Sequence, residues 1–86
     1  MDGIFRSSVY RRMMQAGDNL KGKLPPSPRH PKGRNSHAHI AKTIINTFGK
    51  SYRDLTNDQY EAVMAHILKQ EKKDLLRWQK YTRRKG

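Results

Sequence analysis

Apolar residues recur four apart near the start of the chain, at Phe5, Val9 and Met13, with Ile4 and Met14 beside them and Arg6, Arg11 and Arg12 largely elsewhere on the wheel. This spacing predicts a short amphipathic helix over residues 4–16, with Gly17 as its stop. A helix of that length is marginal alone, so its stripe needs a surface, either the rest of the chain or a partner. A second stripe, Ile40, Ile44 and Phe48, widened by Ala41 and Ile45, predicts a helix over residues 36–48, with Ser36 as N-cap and Gly49 as stop. Tyr52 and Leu55 keep the following connector partly apolar. Thr56-Asn57-Asp58-Gln59 then has the spacing of a capping box. It opens a third run, Tyr60, Val63, Met64, Ile67, Leu68, Leu75 and Trp78, with no Gly or Pro before Gly86. One long helix is expected over residues 57–82. Its stripe thins at Glu71, which leaves room for a break or a change of packing partner between Gln70 and Lys73. The same positions are near-heptad and would also serve as a seam between two chains, with Glu71 inside the seam opposing it, so the oligomeric state stays open. No segment alternates as a strand would, and no internal repeat is present.

Between the first two stripes the pattern stops. Residues 18–35 hold Gly22, Gly33 and all four prolines, Pro25, Pro26, Pro28 and Pro31. Proline fixes φ and removes a donor, so residues 24–31 favour polyproline II or irregular backbone. The expected fold is all-α: a small helical hairpin with a long C-terminal helix, preceded by a short amphipathic helix and an extended Pro-rich basic arm. The divisions fall at residues 1–17, 18–35 and 36–86. A chain of 86 residues supports one modest core, which excludes a multidomain catalyst. Without cysteine it has neither disulfides nor a thiolate metal site. Its apolar runs fall far short of the roughly 20 residues that cross a bilayer, so no membrane partner is expected. No apolar segment precedes Arg6, Arg11 and Arg12 as a secretory signal would. The Arg- and Ser-containing start has some likeness to a mitochondrial presequence, against which Asp2 argues.

Charge sharpens this picture through its placement. The net charge is +12, and residues 1–35 and 72–86 each carry a balance of +6 while residues 36–71 are neutral. A solubilising surface would account for the total but does not require that segregation. The arm supplies Arg11, Arg12, Lys21, Lys23, Arg29, Lys32 and Arg34. The tail interleaves Arg77, Lys80, Arg83, Arg84 and Lys85 with Trp78 and Tyr81, a pattern suited to phosphate contact and stacking on a base or sugar. Trp78 serves equally as the last core anchor of the long helix, which makes Tyr81 the better stacking candidate. These thirteen residues, the twelve cations and Tyr81, are the expected nucleic-acid contacts. Phe5, Val9, Met13, Pro25 and Pro26 are the elements a protein partner would dock on. A helix-turn-helix reading of residues 51–59 meets a second helix too apolar for a groove reader.

Candidates for catalysis are few. His37-Ala38-His39 could place two imidazoles on a metal only ahead of a helix, because in a helix residues two apart point about 200° apart. The carboxylates sit beside basic residues or at a helix start, where they meet the helix dipole. No phosphate-binding loop or nucleophile motif is present. No enzymatic activity, metal or cofactor is expected.

Residues 39–55, His-Ile-Ala-Lys-Thr-Ile-Ile-Asn-Thr-Phe-Gly-Lys-Ser-Tyr-Arg-Asp-Leu, followed by Gln59-Tyr60-Glu61-Ala62-Val63, resemble the C-terminal module of phage antirepressor proteins. That module has a helix ending in a Phe-Gly or Phe-x-Val turn, a Ser-Tyr-Lys/Arg-Asp-Leu/Ile connector and a second helix opening on an aromatic residue. The resemblance, over residues 37–68, implies a hairpin core of Phe48, Tyr52, Leu55, Tyr60 and Met64, and a phage or prophage protein acting in a bacterial cytoplasm. It transfers no catalytic residue, and a short basic arm stands where antirepressors carry a separate N-terminal domain. Three functions follow as expectations: a small accessory protein binding DNA or RNA non-specifically through arm and tail; a phage protein that binds and modulates a host DNA-processing enzyme or regulator; and a ribosome-associated RNA-binding protein.

Overall fold

Asp2 begins the first helix by capping it, its Oδ1 accepting from the Phe5 N–H at 3.1 Å. The computed structural model describes residues 1–30 and 33–85, and for Lys85 the backbone only. Helix α1 (Gly3–Leu20) runs four residues past the expected end because its buried stripe continues beyond Met13 through Ala16 and Leu20. Gly17 is therefore not a stop. It lies inside the helix, where an added Cβ would stand 2.2 Å from Cδ2 of His37. The glycine lets α2 approach, and the Ser36 hydroxyl donates to the Gly17 carbonyl across that contact at 2.6 Å.

Helix α2 (Ser36–Phe48) has the expected bounds but a different cap. Asn35, not Ser36, takes the cap position, its Oδ1 accepting from the N–H groups of His37 and Ala38, which frees Ser36 for the bond to α1. Gly49 ends the helix at φ +82, in the left-handed region that glycine enters without penalty. Two single turns of 3-10 helix, Tyr52–Asp54 and Asn57–Gln59, carry the chain into α3 (Tyr60–Lys85). At the second of these the Gln59 side-chain oxygen accepts from the Thr56 N–H at 3.2 Å. Helix α3 is unbroken through residues 70–73. Among the described residues there is no strand, only an isolated bridge between Ser27 and His30.

The core forms where the three helices meet. Val9, Met13, Ala16 and Leu20 from α1 pack with Ile40 and Ile44 from α2, Val63 and Ile67 from α3, and Tyr52 and Leu55 from the connector. Phe48, Tyr60 and Met64 pack partly buried against this cluster. On α3 the apolar stripe expected from the sequence holds at Val63 and Ile67, with Tyr60, Met64 and Leu75 packed partly buried against the core, while Leu68 is 45% exposed. The buried face runs on from Val63 and Ile67 to Glu71 and Asp74, at spacings of four, four and three. Helical geometry aims residues 71 and 74 inward with 63 and 67, so the fold must find partners for two carboxylates there.

It finds them on α1 and α2, except that Oδ1 of Asp74 is buried without a hydrogen-bond partner. Glu71 takes a 2.7 Å ion pair from Arg12 and a 2.8 Å hydrogen bond from Asn19. Asp74 accepts from His39 at 2.8 Å and from Gln70 at 3.0 Å. At the other end, Asp2 bonds to Asn57, the terminal ammonium donates to the Leu55 carbonyl, and Ser8 meets the Tyr60 hydroxyl. Thus α1 runs alongside α3 with its start fixed near residue 57 and its last turns fixed near residue 71.

Candidate nucleic-acid interface

Seven carboxylates face nineteen Lys and Arg side chains, and the fold engages four of the seven. Asp2 caps α1, Asp18 bonds His37 at 2.8 Å, and Glu71 and Asp74 are held beneath α1 and α2. Among the described residues, Arg12 to Glu71 is the one ion pair joining a Lys or Arg to a carboxylate. Most of the other cations meet solvent.

The structure sorts the expected contact residues. Arg11, Lys21, Lys23, Arg29, Arg77, Lys80, Arg83 and Arg84 are exposed. Arg12 is not a surface cation: only 20% of its side chain is accessible and its guanidinium is committed to Glu71. Arg34 is half-buried, with its Nε enclosed and without a hydrogen-bond partner. Lys32 lies outside the described residues, as does the side chain of Lys85. Trp78 is half-buried and stands outside the core cluster, its ring 5.3 Å from that of Tyr81 and tilted by 30°. Leu75 is the last apolar residue of α3 packed on the core, so residues 77–84 extend the helix beyond it, with cations and this aromatic pair along its sides.

Of the docking candidates, Val9 and Met13 face inward, 0% and 7% exposed, so the α1 stripe is consumed by the protein's own helices. Phe5 is half-buried against Tyr60, with ring centroids 4.6 Å apart. Pro25 is half-buried and Pro26 exposed, in a connection anchored by Leu24 at 5% exposure.

Two hollows gather cations that are scattered in the sequence. One, of about 380 Å³, lies between the α1–α2 connection and the first turns of α2, bordered by Arg29, His30, Arg34, His39 and Lys42. The other, of about 470 Å³, lies between α1 and the Tyr52–Asp54 turn. The first brings Lys42 and His39, from the nominally neutral centre of the chain, alongside the basic arm. That grouping depends on where α2 packs, and a segment-by-segment charge count cannot show it.

The histidines are separated by their partners. His37 bonds Asp18, His39 bonds Asp74, and His66 lies 3.0 Å from the Thr43 hydroxyl. Because that hydroxyl donates to the Ile40 carbonyl, it accepts from His66 Nε2, which therefore carries a proton. Burial, with the nearby charge of Lys69, lowers the pKa of His66 below its ordinary 6.5. Among the described residues, no three potential ligands converge as a metal site requires. No helix among them is long and apolar enough to cross a membrane. Comparison of the chain with protein-family profiles, with curated proteins and with solved structures gives no match.

Proposed function

We propose that this is a small accessory protein that binds nucleic acid with little sequence preference, using the basic connection between α1 and α2 and the C-terminal turns of α3 as phosphate contacts. The observation that carries this reading is the imbalance inside the fold. Three of its seven carboxylates serve a helix cap or buried bonds, one arginine is neutralised, and most of the other cations are left for a polyanion outside the molecule. The Pro-rich connection acts as an arm that follows the phosphate backbone, and the tail lays Arg77, Lys80, Arg83 and Arg84 beside the Trp78 and Tyr81 rings. In this reading the protein is phage-encoded and works in a bacterial cytoplasm, needing neither cofactor nor catalytic group. Mixed-sequence duplex DNA and RNA of equal length, each titrated at low salt with fluorescence anisotropy as the readout, should both bind. Absence of binding to either would exclude the proposal.

A second reading, docking on a host protein that handles DNA, is favoured by apolar residues left at the surface, Ile4 at 82% and Leu76 at 53% exposure. Capture from nuclease-treated bacterial lysate separates the two. A partner lost on nuclease treatment supports nucleic-acid binding, and one retained through Ile4 or Leu76 supports docking.

A further inference from the structure

The larger hollow lies away from both the Pro-rich connection and the C-terminal tail. On α1, Gly3, Arg6, Ser7, Tyr10 and Arg11 form one side of the helix, flanking the buried face of Val9, Met13 and Ala16 and following the i, i+3, i+4, i+7, i+8 pattern. The facing wall is the Tyr52–Asp54 turn, whose Arg53 guanidinium sits 5.8 Å from the centroid of the Tyr52 ring. The Tyr52 ring is 9% exposed and fixed in the core, so it holds Arg53 beside α1. No carboxylate lines the groove, three guanidiniums do, and Tyr10 is 50% exposed at its edge. A groove of about 470 Å³ is within the size range of small-ligand sites.

We propose that this groove holds a single nucleotide unit, its phosphate gripped by Arg6, Arg11 and Arg53 and its base stacked on the open face of Tyr10. Planar guanidiniums from two directions match the oxygens of a phosphate, and the Ser7 hydroxyl adds a donor between them. A ring beside that grip distinguishes a nucleotide from inorganic phosphate, which has nothing to stack on it, and a base joined to its phosphate supplies both contacts in one unit. The unit is either a free mononucleotide or one residue of a strand. The second case rests on the nucleic-acid reading above and gives it a discrete site, at the opposite end of α3 from the basic tail.

The test uses the full chain and two probes. Thymidine 5′-monophosphate is titrated into isotope-labelled protein, with amide shifts as the readout. Saturable shifts should cluster at Arg6, Ser7, Tyr10, Arg11 and Arg53 and disappear in Arg53→Ala. Tyr10→Ala should weaken this probe by about fivefold or more while leaving binding of inorganic phosphate unchanged. Absence of saturable groove shifts, or shifts that persist in Arg53→Ala, overturns the proposal. The side chains of Arg6, Tyr10 and Arg53 are at the surface, and unchanged spectra elsewhere establish that each variant folds.

A dodecamer of oligothymidylate is the second probe, titrated into the wild type and into Arg6→Ala/Arg53→Ala. A strand that binds without filling the groove overturns this proposal and leaves nucleic-acid binding by arm and tail standing. A mononucleotide that fills the groove while the dodecamer does not bind establishes the groove as a site for free mononucleotides and overturns its use by a strand, leaving the broader reading to the duplex titrations above.

Discussion

Glu71 is a carboxylate with 9% of its side chain accessible, placed where a leucine would have completed the α3 stripe. Burial pushes its pKa up, but the hydrogen bonds from Asn19 and Arg12 and the charge of Arg12 together outweigh burial and leave it below the ordinary 4.5. A carboxylate lowered in the folded state contributes stability that is fully present above the titration of the unfolded chain. That contribution is lost as pH falls through the folded value. Glu71→Gln should therefore cost about 1–3 kcal/mol at neutral pH and flatten the acid limb below pH 4.5, as followed by urea denaturation at several pH values. His66, whose pKa is also lowered, adds to the acid loss below 6.5 in both proteins, so the difference between them isolates Glu71.

At Gly17 the expectation from helix propensity reverses. In an ordinary helix interior Gly→Ala stabilises by about 0.5–1 kcal/mol. Here the new methyl meets the His37 ring, whose Cγ would be 2.7 Å away, so the ring must leave its bond to Asp18. Gly17→Ala should lower the melting temperature, and Gly17→Ala combined with His37→Ala should recover most of the loss. A rise in the single variant would show that the His37 ring moves aside freely and does not hold α2 against α1.

Among the elements, α2 and the onset of α3 were legible because their signals are local: a four-residue apolar period, a glycine at the C-terminus and a Thr-x-x-Gln start. The C-terminal end of α1 and the cap of α2 were not. Gly17 reads as a stop until α2 is brought against it, and Ser36 reads as a cap until its hydroxyl is needed by Gly17. Asn35 then takes over the cap, and Asn35→Ala should cost about 1 kcal/mol in thermal denaturation, while Ser36→Ala acts instead by loosening α1 from α2. The inward turn of Glu71 and Asp74 is the larger surprise for pattern reading. Helical spacing brings both onto the buried face while their charge weighs against burial, and the side chains on α1 and α2 that bond them lie 35 to 59 residues away in sequence, with Oδ1 of Asp74 left buried and unpaired. Leu68, counted with the stripe by its helical spacing, lies at the surface, 45% exposed. The groove between α1 and Arg53 was equally hidden, since only folding brings the two segments together.

For the molecule as a whole, the charge map drawn from the sequence needs two changes. Arg12 leaves the set of available cations, and Lys42 joins the arm through the hollow it shares with Arg29 and Arg34. The tail remains the simplest part to isolate, because residues 77–84 lie beyond the core and can be altered without disturbing a buried side chain. Phosphate contact by the tail is decided by the dependence of duplex DNA affinity on salt, for the wild type and for Arg77→Ala/Lys80→Ala/Arg83→Ala/Arg84→Ala. With roughly five phosphates neutralised, log K for the wild type should fall against log salt with a slope of about −4 to −5. Every phosphate that the altered tail no longer neutralises should make that slope shallower by about 0.9, so a tail carrying most of the binding would bring it near −1. Binding whose slope is the same in both proteins would show that the tail makes no phosphate contact.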